Sequence, residues 1–229
     1  MIPPIPAGVR AIYFDAVGTL IHPEPPAPVV YAEAGRRYGS RLDVSTISAR
    51  FRLAFQREEE TDRANGWLTS EAREFERWRR IVGEVLSDVD DPEACFQSLF
   101  SHFGRPQSWR IDPDAAAVLP ALVKQGYALG VASNYDRRLR AVAAGIPGFG
   151  PLSHFAVSAE IGWRKPAREF FAALCDQAQL GAAQILLVGD DVVNDYEGAQ
   201  NAGLHALLVD SKEQYPAHDR IRQLRELLA

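Results

Sequence analysis

From residue 113 to the end of the chain, continuous apolar runs alternate with amphipathic stretches, and no other feature narrows the fold as much. The runs are YALGVAS at 127–133, HFAVSAE at 154–160, QILLVGD at 184–190 and HALLVD at 205–210. The spacing of the intervening stretches predicts helices over 113–125, after Asp136, over 167–178, near 195–202 and from 218. Strands that are apolar throughout are buried on both faces. The pattern therefore predicts a doubly wound, parallel α/β sheet covered by helices on both sides. An earlier run at 10–15 is strand-like but has no neighbour in its own part of the chain, so it must join the same sheet.

The chain changes character after that first strand. HPEPPAP at 22–28 suits neither strand nor helix and reads as a linker. From Val29 to His102 the chain is rich in Ala, Glu and Arg with helical periodicity. Leu53 and Phe55 suit one helix. Phe75, Trp78 and Val82 recur at i, i+3 and i+7 on another, behind the cap candidates Thr69 and Ser70. Asp91-Pro92-Glu93 is a third start signal, with N-cap, Pro at N1 and an acid in the first turn. The economical division is an all-α cap at 24–106, inserted into a core made of 1–23 and 107–229.

A length of 229 residues accommodates one such core and one smaller unit. The net charge of −5 disfavours nucleic acid and anionic membranes as partners. No run approaches 18 apolar residues, and MIPPIPAGVR carries no signal-peptide apolar stretch. Cys95 and Cys175 lack metal-type spacing, which suits a reduced, cytoplasmic protein, either monomer or homodimer.

Three predicted strands end in polar residues: Asp15, then Ser133-Asn134, then Asp190-Asp191. Ligands bind at the carboxyl ends of strands in open parallel sheets, so these ends are the natural place for a site. Any one of them could instead be a helix N-cap or a turn former. Three on one rim favour a site, joined by Lys165, one of only three lysines in the chain. Trp67 and Trp78 read as core of the helical region and His22 as a linker residue, while His102, His154, His205 and His218 show no metal spacing.

FDAVGTL at 14–20, ASN at 132–134, RKP at 164–166 and GDDVVNDYEGAQNAG at 189–203 resemble, in order and separation, the four motifs of the haloacid dehalogenase superfamily. The helical insertion is similar to that superfamily's C1 cap, and SNYDRRL paired with GWRKP resembles its REG-2-like branch. The resemblance implies a strand order of 5-4-1-2-3, which sets Asp15 beside Asp190. It implies Asp15 as a nucleophile that forms an aspartyl-phosphate. It also implies Mg²⁺ held by Asp15, the Val17 carbonyl, Asp190 and Asp195. Ser133 and Lys165 would act on the phosphoryl group of a small phosphorylated metabolite, and Gly18, Thr19 and Asn134 would shape its pocket. Asp191 is open between metal site and helix N-cap.

One position departs from the pattern. The superfamily's phosphatases carry a second aspartate two places after the nucleophile, as general acid and base, and here it is Val17. Losing that group costs about 10²–10⁴-fold in rate. Four readings are open: a phosphatase for good leaving groups or with its acid from elsewhere, a haloacid dehalogenase, a phosphonate-cleaving enzyme, and a phosphate-binding protein with little turnover. The intact Asp190 favours a metal and phosphate over halide. The lack of lysine between Val29 and His102 disfavours phosphonate cleavage through a Schiff base.

Overall fold

A computed structural model describes residues 5–228. The first strand, β1 (Ala11–Phe14), is buried at every position, and its alternate residues feed two cores. Ile12 and Phe14 join one apolar cluster, while Ala11 and Tyr13 join the other on the opposite face. A short strand β2 (Ile21–Pro23) comes next, then four helices: α1 (Ala27–Arg37), α2 (Val44–Ala64), α3 (Glu71–Val85) and α4 (Pro92–Phe103). Asp43, Ser70 and Asp91 cap α2, α3 and α4 by accepting from the backbone N–H three residues on. The four helices gather an apolar cluster of their own around Tyr31, Ile81, Val85 and Phe96.

The chain re-enters through β3 (Trp109–Ile111) and then alternates: α5 (Ala115–Lys124), β4 (Ala128–Ser133), α6 (Arg138–Gly145), β5 (His154–Val157), α7 (Ser158–Ile161), α8 (Arg168–Ala178) and β6 (Ile185–Gly189). A turn of π-helix (Val192–Glu197) leads into α9 (Gly198–Asn201), followed by β7 (His205–Val209), β8 (Arg220–Ile221) and a 3₁₀ turn (Leu224–Leu228). The parallel sheet has the order β5-β4-β1-β6-β7-β8. Its first five strands reproduce the expected order, so β1 lies between β4 and β6, with Phe14 in register with both Val131 and Val188.

Three expectations are corrected. The linker at 22–28 begins in β2, which pairs antiparallel with β3, a strand the sequence did not announce. The run at 154–160 leaves the sheet after Val157, because Ser158 Oγ bonds both the N–H and the C=O of Tyr135 and turns the chain. The helix expected from 218 is replaced by β8. Leu208 N–H donates to Asp219 O and Asp210 N–H to Ile221 O, so the open edge of β7 captures this segment. Among the described residues, no helix is long and apolar enough to cross a membrane.

Candidate active site

The carboxyl ends of β1, β4 and β6 bring Asp15, Ser133 and Asp190 to one rim, and a loop after α7 adds Lys165. Lys165 is 1% exposed. Its ammonium donates to Asp15 Oδ1 at 2.7 Å, Asp195 Oδ1 at 2.6 Å and the Ala132 carbonyl at 2.6 Å, which uses all three protons. Burial opposes its charge, but the Asp15 and Asp195 carboxylates outweigh burial and hold the ammonium above its ordinary value.

The acids are crowded. Ligand oxygens of Asp15, Asp190 and Asp195 all lie within 4.8 Å of one another. Burial raises the Asp15 carboxyl, with Lys165 opposing and Asp190 adding to the rise. Burial, then Asp195 and Asp191, push Asp190 up to about 6. Burial and Asp15, against Lys165, push Asp195 up to about 7. Three carboxylates packed this closely, with one ammonium among them, would be relieved by a further cation on the open side. Their oxygen-only donor set fits a hard divalent ion such as Mg²⁺.

Two glycines make the crowding possible. Gly18 has φ of 102°, and a Cβ there would lie 2.3 Å from Asp190 Oδ2. A Cβ on Gly189 would lie 2.2 Å from Asp195 Oδ2. Thr19 is buried and donates to Asp190 Oδ1 at 3.3 Å. Gly18 and Thr19 therefore both lie against the Asp190 carboxylate. The Gly18 N–H donates to Ile21 O at 2.9 Å.

Asn134 lines the cavity, but both ends of its amide are taken. Nδ2 donates to the Lys165 carbonyl at 2.9 Å, and Oδ1 accepts from the Lys165 N–H at 2.8 Å. It holds the Lys165 backbone through both ends of the amide. Ser133 is buried and lines the cavity beside Asp15. Asp191 is the N-cap of the π turn, with Oδ1 accepting from the N–H groups of Val193 and Asn194. Val17 is 36% exposed and also borders the cavity.

Sequence reasoning missed Arg164. It is 2% exposed and reaches across to the helical insertion, bonding Glu74 of α3 and, at 3.2 Å, Glu59 of α2. Its neighbour in the motif RKP was the one available signal. Trp78, read from the sequence as core of the insertion, packs there and also lines the cavity. His22 stays remote from the carboxylates and faces Asp112 at 3.4 Å.

A haloacid dehalogenase-like hydrolase family model matches residues 9–203. A bovine protein named haloacid dehalogenase-like hydrolase domain-containing protein 3 is 28% identical over 213 residues, which cover 90% of this chain and 83% of that one. Among solved structures, an L-2-haloacid dehalogenase from Xanthobacter autotrophicus is similar with TM-score 0.71 and 20% identity, over 90% of this chain and 79% of that one. A phosphatase of the same superfamily from Thermococcus onnurineus is similar with TM-score 0.69 and 21% identity, over 96% of this chain and 98% of that one. At these identities the structural likeness speaks to the fold, and it spans both chemistries. The matched family segment runs from the strand that ends in Asp15 through the helix after Asp195, and the chain belongs to the haloacid dehalogenase-like hydrolases.

Proposed function

We propose that this hydrolase is a Mg²⁺-dependent phosphatase that works through an aspartyl-phosphate at Asp15. The observation that carries the reading is the cluster of Asp15, Asp190 and Asp195 with Lys165 bonded into it. A halide leaves as an anion without a metal's help, so a dehalogenase has no use for a third carboxylate facing the cavity. A phosphoryl group, with its two negative charges, requires cations on more than one side. The side-chain oxygens of Asp15, Asp190 and Asp195, with the Val17 carbonyl, would hold the metal, which when bound supplies positive charge to the phosphoryl oxygens.

The chain's own groups divide the remaining work. Lys165 holds Asp15 in a fixed rotamer and opposes the rise that burial gives its carboxyl, so that one carboxylate oxygen can attack phosphorus in line with the ester oxygen. Ser133 donates a hydrogen bond to a phosphoryl oxygen. Asn134 keeps Lys165 in place through its backbone. Water then attacks phosphorus, breaks its bond to Asp15 and restores the carboxylate. The helical insertion roofs the cavity and keeps bulk water from the intermediate.

The test is release of 4-nitrophenolate from 4-nitrophenyl phosphate with and without Mg²⁺, beside Asp15→Asn. Nitrophenolate leaves without a proton, so the absence of an acid at Val17 does not mask activity. The expected result is turnover that needs Mg²⁺ and is lost in Asp15→Asn. Chloride release from a 2-chloroacid without Mg²⁺, with no turnover of the phosphate ester, would overturn the reading in favour of dehalogenation.

A further inference from the structure

Above the carboxylates lies a cavity of about 360 Å³ whose two ends differ in kind. The floor holds Asp15, Ser133, Lys165 and Asp190. The roof is aromatic, with Phe51, Phe55, Trp78, Phe100 and Phe103 from the insertion and Trp109 from β3. Each of these rings is only partly buried. Phe51 and Phe55 lie nearly parallel, at 21° and 6.0 Å, and Trp78 sits 6.4 Å from each.

The cations on the walls are already engaged. Arg77 bonds Asp62 at 2.9 Å and Glu59 at 2.6 Å, with its guanidinium over the Phe55 ring. Arg138 grips Asp136 at 2.8 and 2.7 Å and donates to the Phe100 carbonyl. Arg164 is held by Glu59 and Glu74. Arg164 Nε also lies 3.4 Å from Asp62 Oδ2, so a second anionic group on the substrate would find all three guanidiniums already charge-paired. A sugar would meet ring faces where it needs hydrogen bonds.

Apart from Asp15, Asp190 and Asp195, which the phosphatase reading gives to the metal, the walls are equally poor in acids. Val17 borders the cavity and has no proton to give, at the position where the superfamily's phosphatases carry an aspartate. Glu59 is paired with two arginines, and Asp191 accepts through both oxygens, Oδ2 from the Asn194 amide. Burial pushes the phenols of Tyr31 and Tyr135 up, which makes them weaker acids. An alkoxide leaving without a proton forfeits about 10²–10⁴-fold in rate. A phenolate spreads its charge over the ring and does not need that proton.

We infer that the substrate is an aryl phosphate, the phosphomonoester of a phenol whose ring lies among the aromatic side chains of the insertion; this rests on the phosphatase reading. An Asp15 oxygen forms a bond to phosphorus as the bond from phosphorus to the phenolic oxygen breaks. The electron pair leaves on that oxygen as a phenolate, which takes its proton from solvent outside the cavity. Water next forms a bond to phosphorus and breaks the Asp15 ester. Its proton goes to the departing phosphate, and no redox partner is needed.

Phenyl, 1-naphthyl and cyclohexyl phosphates, assayed with Mg²⁺ and the whole chain, test the inference beside 4-nitrophenyl phosphate. Phenyl and cyclohexyl phosphate match in carbon count and differ in leaving group. The expected kcat/KM for phenyl exceeds that for cyclohexyl by at least about 10²-fold, with Val17→Asp narrowing the gap by raising the cyclohexyl rate. Trp78→Leu is expected to raise KM for 1-naphthyl phosphate by about fivefold, against less than about twofold for inhibition by inorganic phosphate. Turnover of 4-nitrophenyl phosphate with equal phenyl and cyclohexyl rates, or with Trp78→Leu shifting both ligands alike, overturns the inference and leaves the phosphatase standing. No turnover of 4-nitrophenyl phosphate overturns both.

Discussion

Arg164→Ala tests how the helical insertion is held against the sheet. Around Arg164 the structure places four carboxylates, Glu58, Glu59, Asp62 and Glu74, against three guanidiniums, Arg73, Arg77 and Arg164. Asp62 is 0% exposed and Glu74 1% exposed, so water cannot replace a lost partner. Removing Arg164 leaves four buried or half-buried acids to Arg73, Arg77 and the exposed Arg80, which approaches Glu58 at 3.8 Å. Breaking a buried pair from one side costs about 3–5 kcal/mol, because the orphaned charge stays desolvated. At about 2–4 °C per kcal/mol for a chain of this size, Tm should fall by about 6–20 °C. Arg137→Ala is the control. That arginine also contacts α3, through Glu71 at 3.7 Å, but its side chain is 80% exposed. Screening and side-chain entropy limit such a pair to about 1 kcal/mol or less. Differential scanning calorimetry on wild type and both variants reads the difference directly. A loss under about 2 °C for Arg164→Ala, or equal losses for the two variants, would refute the claim that this cluster holds the insertion.

The same geometry gives two further expected outcomes. Gly18→Ala puts a methyl group into Asp190 at a φ of 102°, so Mg²⁺ affinity measured by calorimetric titration should fall at least about tenfold while the fold, read by circular dichroism, persists. Burial alone would raise the Glu74 carboxyl, but Arg164 and Arg77 outweigh it and hold Glu74 below the ordinary carboxylate value. The folded state thus binds this proton less readily than the unfolded chain. The stability Glu74 contributes is present above the unfolded value of about 4.3 and is lost as pH falls through the lower folded value. Thermal unfolding of wild type and Glu74→Gln should therefore differ most near pH 7 and converge at strongly acid pH; a gap that widens on acidification would contradict this sign.

The sheet was legible because its signal is local. QILLVGD is apolar at consecutive positions, a pattern that strands buried on both faces require, and its carboxyl end could be located without knowing its neighbours. Asp15, Ser133 and Asp190 could be placed on one rim by the same logic. The pairing of β2 with β3 was not legible, since it joins residues 21–23 to 109–111 and neither segment alone has the length or alternation of a strand. Ile221, Leu224 and Leu227 fall three apart and all bury, which reads as a helix until the bare edge of β7 claims Ile221 for the sheet. The partners of Asn134 and Arg164 were not legible for one reason. A polar residue's role depends on its partner, and theirs lie 31 and 90 residues away.

Those two residues also show why the loop between α7 and α8 matters more than its length suggests. Thr69 N–H of the insertion donates to Gly162 O, Leu68 bridges Trp163, and Arg164 N–H donates to Trp67 O at 2.9 Å. The next residue is Lys165, whose backbone is clamped by Asn134 and whose ammonium binds Asp15. Residues 162–165 therefore touch the insertion on one side and Asp15 on the other. An insertion that moved as a rigid body would have to break backbone bonds within three residues of Lys165. Closure of the roof and alignment of Asp15 are consequently coupled through the chain itself. A ligand that displaced the aromatic roof would pull on the segment whose ammonium bonds Asp15.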